Sequence, residues 1–71
     1  MQRWEYLTIF VSRLEWKDSL GRTGKLPGFR ADDGDPTGLL NEVGEQGWEL
    51  AGVNTYRGGY APTLFLKRPR Q

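Results

Sequence analysis

Leu40-Asn41-Glu42-Val43-Gly44-Glu45-Gln46-Gly47-Trp48-Glu49-Leu50 holds a helix end, a glycine stop and a strand start in one stretch. Leu39, Leu40 and Val43 recur at helical spacing, so one face of this segment is apolar, while Asn41, Glu42 and Glu45 point away from it. Gly47 suits the left-handed residue that ends a helix without a Cβ clash. Counting back from Gly47 places Val43 and Trp48 at the two positions that touch in a Schellman motif. Trp48 is therefore expected to fold back over its own helix. Upstream, Asp35 is a favoured N-cap because its carboxylate accepts from an orphan backbone N–H. Pro36 suits the first helical position, where a missing N–H costs nothing. Gly38 and Gly44 weaken the helix by about 1 kcal/mol each relative to alanine. Gly44 lies beside the apolar stripe and suggests a close approach of the helix to a sheet.

Strand patterns flank the helix. Trp4-Glu5-Tyr6-Leu7-Thr8-Ile9-Phe10-Val11 is rich in β-branched and aromatic residues. Alternation sets Trp4, Tyr6, Thr8 and Phe10 on one face and Glu5, Leu7, Ile9 and Val11 on the other. Both faces are substantially apolar, and one helix covers one of them, so a second subunit is expected on the other. Glu49 to Tyr56 reads as a second strand, with Gly52 a bulge or a point of close approach. Pro62 to Arg68 reads as a third, joined to the second by a hairpin through Gly58-Gly59. The right-handed crossover rule puts this third strand between the other two.

The segment 12–34 is punctuated by Gly21, Gly24, Pro27-Gly28 and Gly34, yet it carries Leu14, Trp16, Leu20, Leu26 and Phe29. A free linker seldom holds so much apolar surface. It is expected to be a variable loop, or a strand extension or partial hairpin around Leu14 to Trp16 with a tip near Gly21 to Gly28. The fold class expected is thus α+β: a β-α-β-β domain, 1–71, with one helix packed on a three-stranded, mainly antiparallel sheet.

With 71 residues the chain makes one domain, of a size at which a single core rarely supplies more than about 3–5 kcal/mol. There is no cysteine and no histidine, so neither a disulfide nor a thiolate metal site reinforces it. Oligomerisation is the remaining common reinforcement, and a homo-oligomer is expected. Met1-Gln2-Arg3 leads straight into a strand pattern and no apolar run approaches the ~20 residues of a membrane helix. A cytoplasmic location without membrane contact is expected. Net charge is +1, but Asp32, Asp33, Asp35, Glu42, Glu45 and Glu49 precede a C-terminal part whose charges are all basic: Arg57, Lys67, Arg68 and Arg70.

The Trp4-Glu5-Tyr6 opening, Leu40-Asn41 and Gly44, the Gly47-Trp48-Glu49-Leu50 turn and the Phe65-Leu66-Lys67-Arg68-Pro69 close together resemble a family of small bacterial proteins known only as a domain of unknown function. The resemblance covers both ends and the helix, not 12–34. It implies a β-α-β-β domain and supplies no activity.

Catalysis has little to work with. Nucleophilic chemistry lacks Cys and His, and Ser12 and Ser19 have no evident base. Asp32, Asp33 and Asp35 offer oxygen ligands, but Val43 stands where a calcium loop has its twelfth-position glutamate. A polar turn ending in an N-cap accounts for them better, and no cofactor is expected. Glu5 and Glu49 beside their tryptophans suggest paired carboxylates, although cross-strand pairing with Arg or Lys is the simpler reading. No enzymatic activity is expected. The function expected is that of a protein-interaction module or subunit of a larger assembly, contacting its partner through Trp16, Phe29, Arg57, Tyr60 and Arg68, the residue types of interface hot spots. The alternative is a single-stranded nucleic-acid binder using the basic and aromatic C-terminal hairpin, though the near-neutral charge speaks against it.

Overall fold

A computed structural model describes residues 2–30, 33–54 and 62–70. Its elements are β1 (Trp4–Ser12), β2 (Glu15–Asp18), β3 (Thr23–Lys25), β4 (Gly28–Arg30), β5 (Asp33–Gly34), α1 (Thr37–Glu45), β6 (Glu49–Asn54) and β7 (Thr63–Pro69). Five of the strands form one antiparallel sheet in the order β3-β2-β1-β7-β6, and β4 pairs with β5 separately. The described residues are therefore mostly β with one short helix. This corrects the expected three-stranded β-α-β-β domain. The segment 12–34, expected as a variable loop or a partial hairpin around Leu14 to Trp16, supplies two of the sheet's five strands, β2 and β3. The strand pattern at the C-terminal end does sit between the other two, as β7 lies between β1 and β6.

The extra strands arise from two tight turns. Ser12 pairs with Glu15, leaving Arg13 and Leu14 as a two-residue hairpin loop. Arg13 has φ +55, the sign that hairpin loops of this length need at their first position to match strand twist. The second turn runs from Asp18 to Arg22, with Gly21 at φ +87 as its left-handed residue. Asp18 organises it: Oδ1 accepts from the backbone of Leu20 at 3.0 Å and of Arg22 at 2.8 Å, and Oδ2 from Arg22 Nε at 2.7 Å. Beyond β3, Leu26 N donates to Leu14 O at 2.7 Å, and the Leu26 side chain is buried in the core.

The core lies between the sheet and α1. Leu7, Ile9 and Val11 of β1, Leu64 and Leu66 of β7, Leu39 and Val43 of α1, Leu26 and Trp48 make one buried cluster, with Trp16 and Leu40 packed against it. The helix ends as its sequence demands. Gly47 has φ +95, its N–H donates to Gly44 O at 2.9 Å, and Trp48 N–H donates to Val43 O at 3.1 Å. Those two bonds are the Schellman pair, and Val43 and Trp48 are both in the core. The start differs by one residue. Pro36 O accepts the first helical bond, from Leu40 N at 2.8 Å, so Pro36 is the N-cap and not the first helical residue. Asp35 acts from outside, its Oδ1 accepting from Thr37 N at 3.0 Å and Thr37 Oγ1 at 2.7 Å. The expected close approach at Gly44 is also corrected: a Cβ there would meet nothing within 4 Å. In β6 the register with β7 slips between Leu50 and Gly52, a bulge at the place the glycine suggested.

Candidate functional site

Pairing register sorts the sheet residues onto two faces. Leu7↔Leu66 and Ile9↔Leu64 lie on the helix side, and between them fall Trp4↔Pro69, Tyr6↔Lys67, Thr8↔Phe65 and Phe10↔Thr63 on the other. No element among the described residues covers this second face. Tyr6 is 68% exposed, Phe10 44%, Phe65 41% and Trp4 38%, whereas Leu7 on the opposite face is 1% exposed. Phe65 sits on β7 diagonally between Tyr6 and Phe10 of β1, a separation of about 7–8 Å that aromatic side chains bridge. Lys67 Nζ lies 4.4 Å from the centre of the Trp4 ring, a cation–π contact that holds the tryptophan against the sheet. Toward β3 the face continues past Lys17, paired with both Phe10 and Thr23, into a shallow groove of about 580 Å³ that Lys25 and Glu15 also border.

On the helix side, two arginines converge on the end of α1. Arg68 Nη1 donates to Gln46 O at 2.7 Å, and its guanidinium lies 4.2 Å from the Trp48 ring centre and pairs with Glu5. Arg22 Nη1 donates to Gln46 Oε1 at 3.2 Å while Nε holds Asp18. Cations at a helix C-terminus answer its exposed carbonyls and the negative end of its dipole. Because Arg22 and Arg68 reach in from the two sides of β1, they fasten the helix end across the sheet's central strand. Burial pushes the Asp18 carboxyl up, but the Arg22 backbone N–H, the Arg22 guanidinium and the Leu20 N–H outweigh it, and its pKa lies below the usual carboxylate value. Asp35, exposed, is also held low, by its two bonds from Thr37.

Of the residues expected to meet a partner, the side chains of two, Trp16 and Arg68, are described. Trp16 is half-buried on the helix side, its indole lying across Gly24 so closely that a Cβ on that glycine would come within 2.6 Å of Nε1. Arg68 is half-buried in the helix clamp. Phe29 lies on β4, and Arg57 and Tyr60 fall outside the described residues. Glu5 and Glu49, weighed as a carboxylate pair, occupy opposite faces: Glu5 pairs with Arg68 on the helix side and Glu49 with Lys67 on the open side. Asp32 also lies outside the described residues, and Asp35 is committed to Thr37. The open aromatic face is what residue-by-residue reading under-weighted. Its signal was the alternation of Trp4, Tyr6 and Phe10 in β1, joined by Phe65 once β7 is placed beside it.

No family model matches the chain, and neither a curated protein nor a solved structure matches it. Among the described residues no helix is long and apolar enough to cross a membrane.

Proposed function

We propose that this chain is a small, non-enzymatic, cytoplasmic accessory protein that self-associates and serves as a protein-interaction module or subunit of a larger assembly. The observation that carries this reading is the open sheet face with Trp4, Tyr6, Phe10 and Phe65 exposed side by side. Contiguous apolar surface of this kind on a soluble domain marks an interaction site, and aromatics are the side chains that anchor such sites. The cysteine-free composition fits a reducing compartment.

A protein partner suits the face better than a nucleic acid does. Lys17, Lys25 and Lys67 border the aromatics, but Glu15 and Glu49 stand directly across the strands from Lys25 and Lys67, so the face offers no uninterrupted cationic track. Arg68, which the nucleic-acid alternative needed, is engaged in the helix clamp.

The test is capture of bound material by the wild-type protein and by Tyr6→Glu and Phe65→Glu, with Glu42→Lys on the exposed helix surface as control. A partner retained by wild type and control and lost from both face variants is the expected result. Retention by both face variants would move the binding surface elsewhere. Binding of single-stranded oligonucleotides that weakens steeply with salt would instead favour the nucleic-acid reading.

A further inference from the structure

Resting on the interaction-module reading, we infer that the occupant of the open face is a second copy of this chain, packed sheet to sheet about a two-fold axis that crosses the strands at the Thr8–Phe65 rung. Size is the first argument. Five strands about 4.8 Å apart and a seven-residue β7 at about 3.4 Å per residue give a face of roughly 20 by 24 Å. Because β2 and β3 have four and three residues and flank only the Ile9–Ser12 end of β1, the half-turn overlays β1, β7 and β6 alone. The covered area therefore falls below the ~800 Å² per partner of a standard interface, the size of a weak dimer.

Self-complementarity is the second argument. An isologous interface must match its own surface after a half-turn. Rotation about the Thr8–Phe65 rung lays Tyr6 over the partner copy's Phe10, and Phe65 over its own copy, so the aromatics meet aromatics. The same rotation lays Lys67 over Thr63 and Glu49 over Asn54, since Phe10↔Thr63 and Asn54↔Thr63 form the rung equally far beyond the axis. No like charges are opposed. Packed sheets lie about 10 Å apart, and their twist lets strands run within about 30° of alignment, so these pairs stay within reach. An axis along β1 instead would lay Tyr6 and Phe10 each over its own copy, but it would set Phe65 over the polar Ser19 end of β2, where Ser19 N donates to Thr8 O at 2.9 Å, and leave that aromatic without an apolar partner.

The experiment combines light scattering with cross-linking. The natural chain has no cysteine, so single cysteines report without background. Wild type is expected to be a dimer. Thr8→Cys should cross-link through a bis-maleimide matched to the ~10 Å sheet separation, whereas Ser12→Cys, far from the axis on both copies, should not. Phe65→Glu, which acts twice on the axis, should weaken the dimer by roughly 100-fold or more, and Tyr6→Glu should do the same where circular dichroism shows it folded. A dimer cross-linked at Ser12 overturns the axis. A dimer untouched by both face variants and cross-linked at neither cysteine overturns the face. A monomer whose open face still captures another protein overturns this inference and the self-association in the proposed function, and leaves its protein-interaction part standing; a monomer that captures only an oligonucleotide, or nothing, removes both.

Discussion

Asp18 is the side chain on which the β2–β3 turn depends. It is buried, yet its oxygens meet two backbone N–H groups and one guanidinium N–H. Its pKa is lowered in the folded protein, so the unfolded chain binds this proton more readily. Stability contributed by Asp18 is then fully present above its unfolded pKa of about 3.9 and drains away as pH falls toward its folded value. We expect thermal unfolding to show a loss of stability below about pH 4 that is flattened in Asp18→Asn. That variant should also lose about 1–3 kcal/mol near neutrality, because its amide sets a donor against Arg22 Nε. A melting profile that keeps its acid limb in Asp18→Asn would assign that limb to other carboxylates. Arg13 shows the opposite relation between residue and backbone. At φ +55 it occupies a conformation disfavoured for a residue with a Cβ by about 1–2 kcal/mol, and it does so because β1 and β2 hold both ends of the loop.

The contrast among glycines belongs to the elements that contain them. Gly38 and Gly44 lie in α1 with open space where a Cβ would go. Gly38→Ala with Gly44→Ala should each stabilise by about 0.5–1 kcal/mol and together raise the melting temperature by several degrees. Gly24→Ala in β3 should do the reverse, by about 1–3 kcal/mol, since the Trp16 indole occupies the Cβ position. Differential scanning calorimetry of the three variants separates these outcomes. The same elements explain what the sequence made legible. The helix and its stop carried full chemical signatures in Leu39, Val43, Gly47 and Trp48, and the Schellman pair formed where they indicated. The bulge near Gly52 was signalled too. The β1–β2 hairpin was signalled only in part, as a strand extension or partial hairpin around Leu14 to Trp16, because Ser12-Arg13-Leu14-Glu15 has neither glycine nor asparagine to place a turn with a positive φ. β3 is three residues with a glycine in the middle, a pattern indistinguishable from loop until Trp16 is known to lie over it. The open aromatic face was half legible: alternation in β1 gave two apolar faces, but which one the helix takes depends on long-range pairing. Arg68 read as a surface cation because its partners, Glu5, Trp48 and Gln46, come together only in three dimensions.

For the whole molecule, linkage between folding and association gives the broadest prediction. If each folded chain gains a partner, the melting temperature must rise with protein concentration. We expect that rise in the wild type between micromolar and millimolar concentrations, and a flat response in Phe65→Glu; a wild-type melt independent of concentration would count against the dimer. The sheet order has its own consequence for how the chain is made. β7 is fully flanked, by β1 and by β6, and it follows the other described strands in the chain. During synthesis β1, with its Leu7, Ile9 and Val11, must wait for residues some sixty positions later before its core edge is filled. Pairings this distant in sequence are slow to close, and an unfilled sheet edge invites the wrong neighbour. A nascent chain halted before β7 emerges from the ribosome therefore presents the β1–β2–β3 meander, the β4–β5 pair, a helix and an unpaired β6 around a core that still lacks Leu64 and Leu66, and should be a client for chaperones until those residues arrive.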